Sequence, residues 1–173
     1  MQEMHVYGVS FDMVGKQPIV LLKTASGSRY LPIWIGHPEA QAILSRLQET
    51  ETPRPMTHDL LATAVADLGA EVVRIEVTDL RENTFYARIT LRRDGAEIEL
   101  DSRPSDAIAL AVRTQAPIFA ADAVIEASAV TMDDDQAPPA HPSQTSDDPD
   151  RLVEEFKRFL ESVDPEEFKE GDG

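Results

Sequence analysis

The stretch LDSRPSDAIALAVR, residues 100–113, decides the fold because it passes from a strand-like end through a polar turn into an almost wholly apolar helix. Pro104 suits the first helical position, where its missing N–H is not needed, and Asp106 falls in the first turn, where the helix dipole favours an anion. No polar residue lies between Ala107 and Val112, and the alternating alanines let neighbouring backbones approach closely. The sequence therefore predicts a buried central helix around which the rest of the domain packs.

The segment before this helix predicts an antiparallel sheet with one face in contact with solvent. Apolar and polar residues alternate over residues 73–78, 85–92 and 97–101. Asp94-Gly95 is a strong signal for a two-residue hairpin turn, which fixes the register of the strands beside it. The predicted cross-strand neighbours are Arg92 and Glu97, Leu91 and Ile98, Ile89 and Leu100, and Arg88 and Asp101. In this register the arginines pair with acids rather than forming a nucleic-acid-binding stripe, and Ile98 and Leu100 share the apolar face.

Patterns in the rest of the chain predict shorter elements on either side of these. Three strands over residues 3–11, 19–23 and 29–35 form a predicted meander, in which Pro32 indicates an edge or a bulge. Trp34, between two isoleucines, is interpreted as a core residue rather than a platform for stacking bases.

Helices are predicted from Gly36 to about Leu47, and from an N-cap at Thr57 to Leu68, where Gly69 provides a left-handed end. A short strand at 118–119 and a last helix over 121–129 complete the domain. The sequence thus predicts an α+β fold: a mostly antiparallel twisted sheet of about six strands packs with a buried central helix and two or three further helices, and a tail helix follows.

Charge divides the chain into a domain and an acidic end. Its 173 residues carry a net charge of −16, yet residues 1–130 contain 18 acidic and 12 basic side chains, whereas residues 131–173 contain 14 and 4. Residues 131–149 are rich in Asp, Pro and Ser and predict a disordered linker. Within the acidic tail of residues 150–173, apolar residues from Leu152 to Val163 recur at helical spacing. Such a helix needs a surface to pack on, so we expect a homo-oligomer or a protein partner for residues 150–163.

Composition excludes several classes of chemistry. The chain has no cysteine, which rules out disulfides, thiol nucleophiles and zinc–thiolate sites. It contains no metalloprotease His-Glu-x-x-His, no Gly-x-Ser-x-Gly elbow and no phosphate-binding glycine loop. No apolar run approaches the length of a membrane span and no signal peptide is recognised, so a cytoplasmic protein with no membrane contact is expected. The negative charge repels nucleic acid unless a local basic group or a bound metal ion offsets it.

Side chains that can act as acids, bases or anion ligands concentrate at three predicted helix starts, at residues 37–39, 58–59 and 103–106. If these turns meet, they supply the groups that phosphodiester hydrolysis requires. Asp59 and Asp106 are candidates for metal or general-base roles, His58 for acid–base chemistry and Arg103 for holding a phosphate. The alternative is structural: each acid caps its own helix, and Arg103 pairs with Asp59 or Asp106.

Four motifs, in this order, resemble the bifunctional nuclease domain family over about residues 3–130. They are LPIWIG with Glu39-Ala40 at residues 31–40, RPMTHDLL at 54–61, TFYA at 84–87 and DSRPSDAIALA at 101–111. The resemblance implies a compact α+β domain that acts on both DNA and RNA. The proposed site then comprises catalytic His58, Asp59, Asp106 and Glu39, substrate-binding Arg103, Arg54 and His37, and Asp59 and Asp106 as ligands of Mg or Mn.

Two functions compete on this evidence. One is a metal-assisted nuclease that cleaves DNA and RNA with little sequence preference and uses no organic cofactor. The other is a non-catalytic binding or regulatory module, in which the polar residues at the helix starts serve structure and the tail helix recruits a protein. The net negative charge favours the second, and the family resemblance favours the first.

Overall fold

The structure, a computed structural model, describes residues 1–12 and 15–131. Except for Thr131, the predicted linker of residues 131–149 and tail of residues 150–173 lie outside these residues. The helices are α1 (His37–Leu47), α2 (Thr57–Asp67), α3 (Pro104–Thr114) and α4 (Asp122–Ser128). The strands are β1 (Gln2–Asp12), β2 (Gln17–Thr24), β3 (Arg29–Trp34), β4 (Ala70–Arg81), β5 (Thr84–Arg93), β6 (Ala96–Ser102), β7 (Ile118–Ala120) and β8 (Val130–Thr131).

The strands form one sheet in the order β6-β5-β4-β7-β1-β2-β3-β8. β4 and β7 are parallel, and the other neighbours are antiparallel, so the predicted mostly antiparallel α+β fold is confirmed. Two three-stranded meanders, β1 to β3 and β4 to β6, are joined by β7. The predicted short strand at 118–119 is β7, and the strand that the sequence did not predict is β8, which at two residues is too short to show a periodic pattern.

α3 is the buried central helix, as predicted. Pro104 is its first residue, and every residue from Ala107 to Ala111 is at most 1% exposed. The helix packs over β4 and β5 on the sheet, and α1 and α2 contact it from either side. The beginnings of α2 and α3 come together, since His58 Nε2 lies 3.1 Å from Asp106 Oδ1.

The hairpin between β5 and β6 has the predicted register, with Arg92 opposite Glu97 and Arg88 opposite Asp101. Its turn places Asp94 and Gly95 at φ values of 51° and 80°, the left-handed pair that this turn requires. The predicted burial of the two apolar residues in β6 is wrong. Ile98 and Leu100 are 44% and 42% exposed, because β6 is the outermost strand and α3 packs over β4 and β5 instead.

The start of α2 differs from the prediction. Thr57 is the first helical residue and Met56 is the N-cap. The Asp59 carboxylate accepts the Met56 backbone N–H at 2.8 Å, so the third residue of the helix, rather than the predicted cap, satisfies this donor. The helix ends at Asp67, with Gly69 in the predicted left-handed conformation at φ 73°. His58 is the one buried residue of the helix.

The remaining helices agree closely with the sequence. α1 covers the predicted residues, and its apolar face buries Ala42 and Ile43. α4 lies within the predicted range of 121–129. Among residues 1–12 and 15–131, no helix has the length and apolar character needed to cross a bilayer.

Candidate active site

Arg103 stands at the point where β6 ends and α3 begins, and it joins two of the predicted helix starts. As the N-cap of α3 it has an extended backbone, and its side chain is 66% exposed. Its Nε donates to Asp106 Oδ2 at 2.7 Å, and one terminal nitrogen donates to Asp106 Oδ1 at 3.0 Å and to Glu39 Oε1 at 2.8 Å. The guanidinium therefore holds a carboxylate from α3 and one from α1 in fixed positions.

His58 brings the third helix start to the same place. Its Nε2 lies 3.1 Å from Asp106 Oδ1, and its side chain is 11% exposed. The buried face of α2 positions the imidazole, because His58 is the residue that α2 turns inward. Glu39, His58, Arg103 and Asp106 thus form one connected group, which we call the His58 cluster.

Gly36 allows Glu39 to reach this cluster. A Cβ atom at position 36 would collide with Glu39 Oε2, so a larger residue would displace the carboxylate that binds Arg103. Glu39 is itself in the first turn of α1, where its charge also suits the helix dipole. The requirement at position 36 is for space rather than for an unusual backbone conformation, since its φ is −76°.

Asp59 lies beside His58 in sequence but belongs to a different arrangement. Its Oδ1 accepts a hydrogen bond from the Nε–H of Arg113, and its other carboxylate oxygen accepts one from the Met56 backbone N–H. Arg113 is 6% exposed in its side chain and also donates to the carbonyls of Ala42 and Ala109. Sequence reasoning missed this role of Arg113, for which the only signal is a basic residue in the last turn of an apolar helix. Asp59 therefore caps α2 and ties it to α3.

Two further predicted site residues stand apart from the His58 cluster. The His37 ring is exposed and makes an edge-to-face contact with Phe11, with the ring centres 5.6 Å apart. Arg54 is exposed in the loop before α2, and its backbone carbonyl accepts the Thr52 hydroxyl. Within the described residues neither side chain forms a hydrogen bond or an ion pair with the cluster.

The charges in the cluster stabilise one another. Burial opposes ionisation of Asp106, but hydrogen bonds from Arg103 and His58 outweigh it and hold the pKa of this carboxyl below its usual value. The same carboxylate, with Glu39, raises the pKa of Arg103, which stays protonated. For Asp59, burial is again outweighed, here by the Met56 N–H and Arg113, and the pKa of Asp59 is also lowered. Both aspartates are ionised at neutral pH.

The donor set does not fit a resident divalent cation as it is arranged. The predicted ligands Asp59 and Asp106 bind different guanidinium groups, and no set of three or more His, Asp or Glu side chains in residues 1–12 and 15–131 is placed to hold a metal. A metal ion in a protein normally takes several such ligands at once. What the cluster does offer is a histidine oriented by a carboxylate, next to an exposed guanidinium.

A cavity of about 330 Å³ adjoins Arg103, which is one of its lining residues. The cavity lies among the ends of β2 and β3, the turn between β4 and β5, and the start of α3. Trp34 lines it and is only partly buried, so its interpretation as a core residue is wrong. We call this space the Trp34 cavity.

Comparison with known proteins agrees with the motifs in the cluster. The bifunctional nuclease domain profile matches residues 20–133, which include all four cluster residues. The chain belongs to the bifunctional nuclease domain family. An uncharacterized protein of Mycobacterium tuberculosis is 40% identical over 169 residues, covering 98% of this chain and 99% of the relative.

Plant members of the family match the domain alone. Bifunctional nuclease 1 of Oryza sativa is 31% identical over 57% of this chain, and bifunctional nuclease 1 of Arabidopsis thaliana is 30% identical over 58%. These alignments cover 31% and 32% of the plant proteins, so this chain spans about a third of their length.

Proposed function

We propose that this chain is a nuclease that hydrolyses phosphodiester bonds in DNA and RNA with little sequence preference. The observation that carries the proposal is the His58 cluster. In it, a histidine from the start of α2 meets its orienting carboxylate and an exposed guanidinium, both from the start of α3, and a second carboxylate from the start of α1 holds the guanidinium. Membership of the family and the names of its plant relatives support the same reaction.

His58 acts as the general base in this proposal. Because the Asp106 carboxylate accepts a hydrogen bond from the Nε2–H group, the neutral ring carries its lone pair on Nδ1. Nδ1 takes a proton from a water molecule as the water oxygen forms a bond to phosphorus. The bond from phosphorus to the leaving oxygen breaks, and solvent protonates that oxygen. Since water is the nucleophile, the reaction needs no ribose 2′-hydroxyl and applies to both DNA and RNA.

Arg103 binds the phosphate. Its Nε and one terminal nitrogen are held by Asp106 and Glu39, while its other terminal nitrogen makes no hydrogen bond within the described residues. The high exposure of the side chain leaves these remaining N–H groups accessible to a phosphate oxygen. Glu39 and Asp106 are thus positioning residues for the guanidinium.

The test is degradation of labelled single-stranded DNA and RNA by highly purified protein. A double variant, His58→Ala with Asp106→Ala, is prepared identically and compared. The proposal requires cleavage by the wild type and its loss in the double variant. Equal cleavage by both preparations would assign the activity to a contaminant. Repeating the assay with Mg, with Mn and with EDTA tests the expectation from the sequence that a metal ion assists cleavage, for which Asp59 and Asp106 were the candidate ligands.

An interaction module is the second candidate, and exposed apolar side chains favour it. Leu60, Leu61 and Leu68 at α2 are 63%, 40% and 65% exposed, and two apolar residues of β6 are exposed as well. Apolar exposure of this kind is typical of protein contact surfaces. A protein that fails to cleave either nucleic acid but captures a partner through α2 would support this function instead.

Other parts of the proposal rest on the sequence alone. They comprise the domain limits at 1–130, the homo-oligomer, the partner of residues 150–163, the cytoplasmic location, and the substrate-binding roles of Arg54 and His37. The exposed positions of Arg54 and His37 are compatible with contacts to a nucleic-acid chain that extends beyond the His58 cluster.

A further inference from the structure

We propose that the Trp34 cavity binds an unpaired nucleobase, and that the substrate is therefore a single-stranded nucleic acid. This inference rests on the proposed nuclease function and adds the class of substrate. The cavity has about 330 Å³ of space, within the range of small-ligand sites. It shares Arg103 with the His58 cluster, so a base in the cavity places the adjoining phosphate at the proposed catalytic residues.

Aromatic and aliphatic side chains supply surfaces for a base. Trp34 closes β3 and Phe85 lies near the start of β5, and both are partly exposed. Ile33 and Ile35 line the cavity beside them. Bases stack on aromatic side chains with little dependence on their identity, which suits a nuclease of low sequence preference.

Polar side chains also line the cavity. Ser105 lines the cavity in the first turn of α3, and its hydroxyl can both donate and accept a hydrogen bond. The side-chain amides of Gln17 and Asn83 also line the cavity and provide both donors and acceptors for the edge of a base.

Charge distinguishes this cavity from its larger neighbour. The Trp34 cavity has one arginine and no acidic residue in its lining. A second cavity of about 590 Å³, on the outer strands, is lined by Asp79, Glu99 and Asp101 together with two arginines. An anionic ligand is repelled by carboxylates, so the Trp34 cavity is the better site in this acidic protein.

The shape of the site selects an unpaired base. A base inside a duplex is stacked on both faces, and it reaches a protein pocket only by leaving the helix at a cost in stacking and pairing. A base in a single strand has no such cost and presents its faces and edge freely. The cavity therefore favours single strands over duplexes.

Fluorescence of Trp34 tests the inference directly, because it is the only tryptophan in the chain. The probe is oligo(dT) with phosphorothioate linkages, which resists hydrolysis, titrated into the full-length protein and compared with the same strand in a duplex and with inorganic phosphate. Loss of one base–aromatic stack corresponds to roughly a 5- to 140-fold change in affinity. We expect the single strand to quench Trp34 at a concentration at least about tenfold below the duplex, and phosphate to leave it unchanged.

Variants separate the cavity from other surfaces. Ser105→Ala and Asn83→Gly are expected to weaken quenching several-fold, and glycine preserves the left-handed φ of 57° at position 83. Tyr86→Ala removes an exposed aromatic ring from the other cavity and serves as the matched control, with quenching unchanged.

Quenching and cleavage have separate readouts. Absence of quenching by the single strand, equal quenching by the duplex, or quenching that these cavity variants leave unchanged would each overturn the inference. If cleavage of unmodified strands persists without quenching, the nuclease function stands and the base site is wrong. If the phosphorothioate single strand quenches Trp34 but unmodified strands are not cleaved, the base site stands and the proposed function fails.

Discussion

The imidazole Nε2 of His58 lies 3.1 Å from Oδ1 of Asp106, which joins the first turns of two helices across 48 positions of sequence. Asp106 also receives two hydrogen bonds from Arg103, so its carboxylate has contacts to both a candidate base and a candidate phosphate ligand. This single carboxylate therefore organises the proposed active site.

Asp106→Asn is expected to reduce cleavage at least about 100-fold, the lower range for loss of an effective general base. The neutral amide of asparagine no longer holds His58 with its Nδ1 free to accept a proton. It also cannot accept two charge-assisted hydrogen bonds from the Arg103 guanidinium. Because Asp106 is partly exposed at a helix start, the free energy of unfolding is expected to fall by only about 1 kcal/mol. Cleavage of a labelled strand and urea denaturation measure the two effects.

Asp122→Asn is the matched control for this change. Asp122 is likewise in the first turn of a helix, where it binds the N-terminal amine of Met1. This ion pair lies apart from the His58 cluster. Cleavage by this variant should equal that of the wild type. An Asp106 variant that retains full cleavage, or that simply unfolds, would refute the assignment of Asp106 to the site.

The convergence of the helix starts was within reach of sequence reasoning, but the identity of the partners was not. Scarcity of polar chemistry pointed to six residues at the three helix starts, and four of them lie together, namely Glu39, His58, Arg103 and Asp106. The separation of Asp59 from them depends on Arg113, which is 54 positions away and approaches only because α2 and α3 pack side by side. Pairings of this kind are set by packing, which local pattern does not encode.

The hairpin shows the same division between local and distant causes. Its register follows from Asp94-Gly95 and the alternation beside it, both of which are local. The exposure of Ile98 and Leu100 depends instead on which strands α3 covers. The sequence of β6 alone does not determine which strands these are. For the same reason the partial exposure of Trp34 was missed.

Low pH should destabilise the protein through Asp59 and Asp106. Both carboxyl pKa values are lowered in the folded protein, so the unfolded chain binds protons first as the pH falls. Their contribution to stability is full above the unfolded pKa of about 4 and is lost as the pH falls through their folded values. Urea denaturation at roughly pH 5 and pH 3 should show a larger loss for the wild type than for Asp59→Asn. An identical pH dependence in the two proteins would argue against this coupling.

Gly95→Val should destabilise the domain by about 1 kcal/mol or more, because a β-branched residue resists the left-handed φ of 80° in the hairpin turn. Ala96→Val, at the first exposed position of β6, adds the same side chain to ordinary strand backbone and should be tolerated. Thermal denaturation followed by circular dichroism compares the two. Equal melting temperatures for both variants would show that the turn does not need glycine.

Arg103 and Arg113 separate function from stability. Arg113 is 6% exposed and donates to Asp59 and to two carbonyls, so Arg113→Met should lower the free energy of unfolding by about 2–4 kcal/mol. Arg103 is 66% exposed, and Arg103→Met should lower the free energy of unfolding by less than about 1 kcal/mol.

At a temperature where both variants remain folded, Arg103→Met should lose cleavage, because the phosphate then lacks its guanidinium. Arg113→Met should retain much of the cleavage activity. Methionine keeps the length of each side chain and removes its charge in both cases. If Arg103→Met proves as destabilising as Arg113→Met, or cleaves as fast as the wild type, then Arg103 is a structural residue and the His58 cluster binds no phosphate through it.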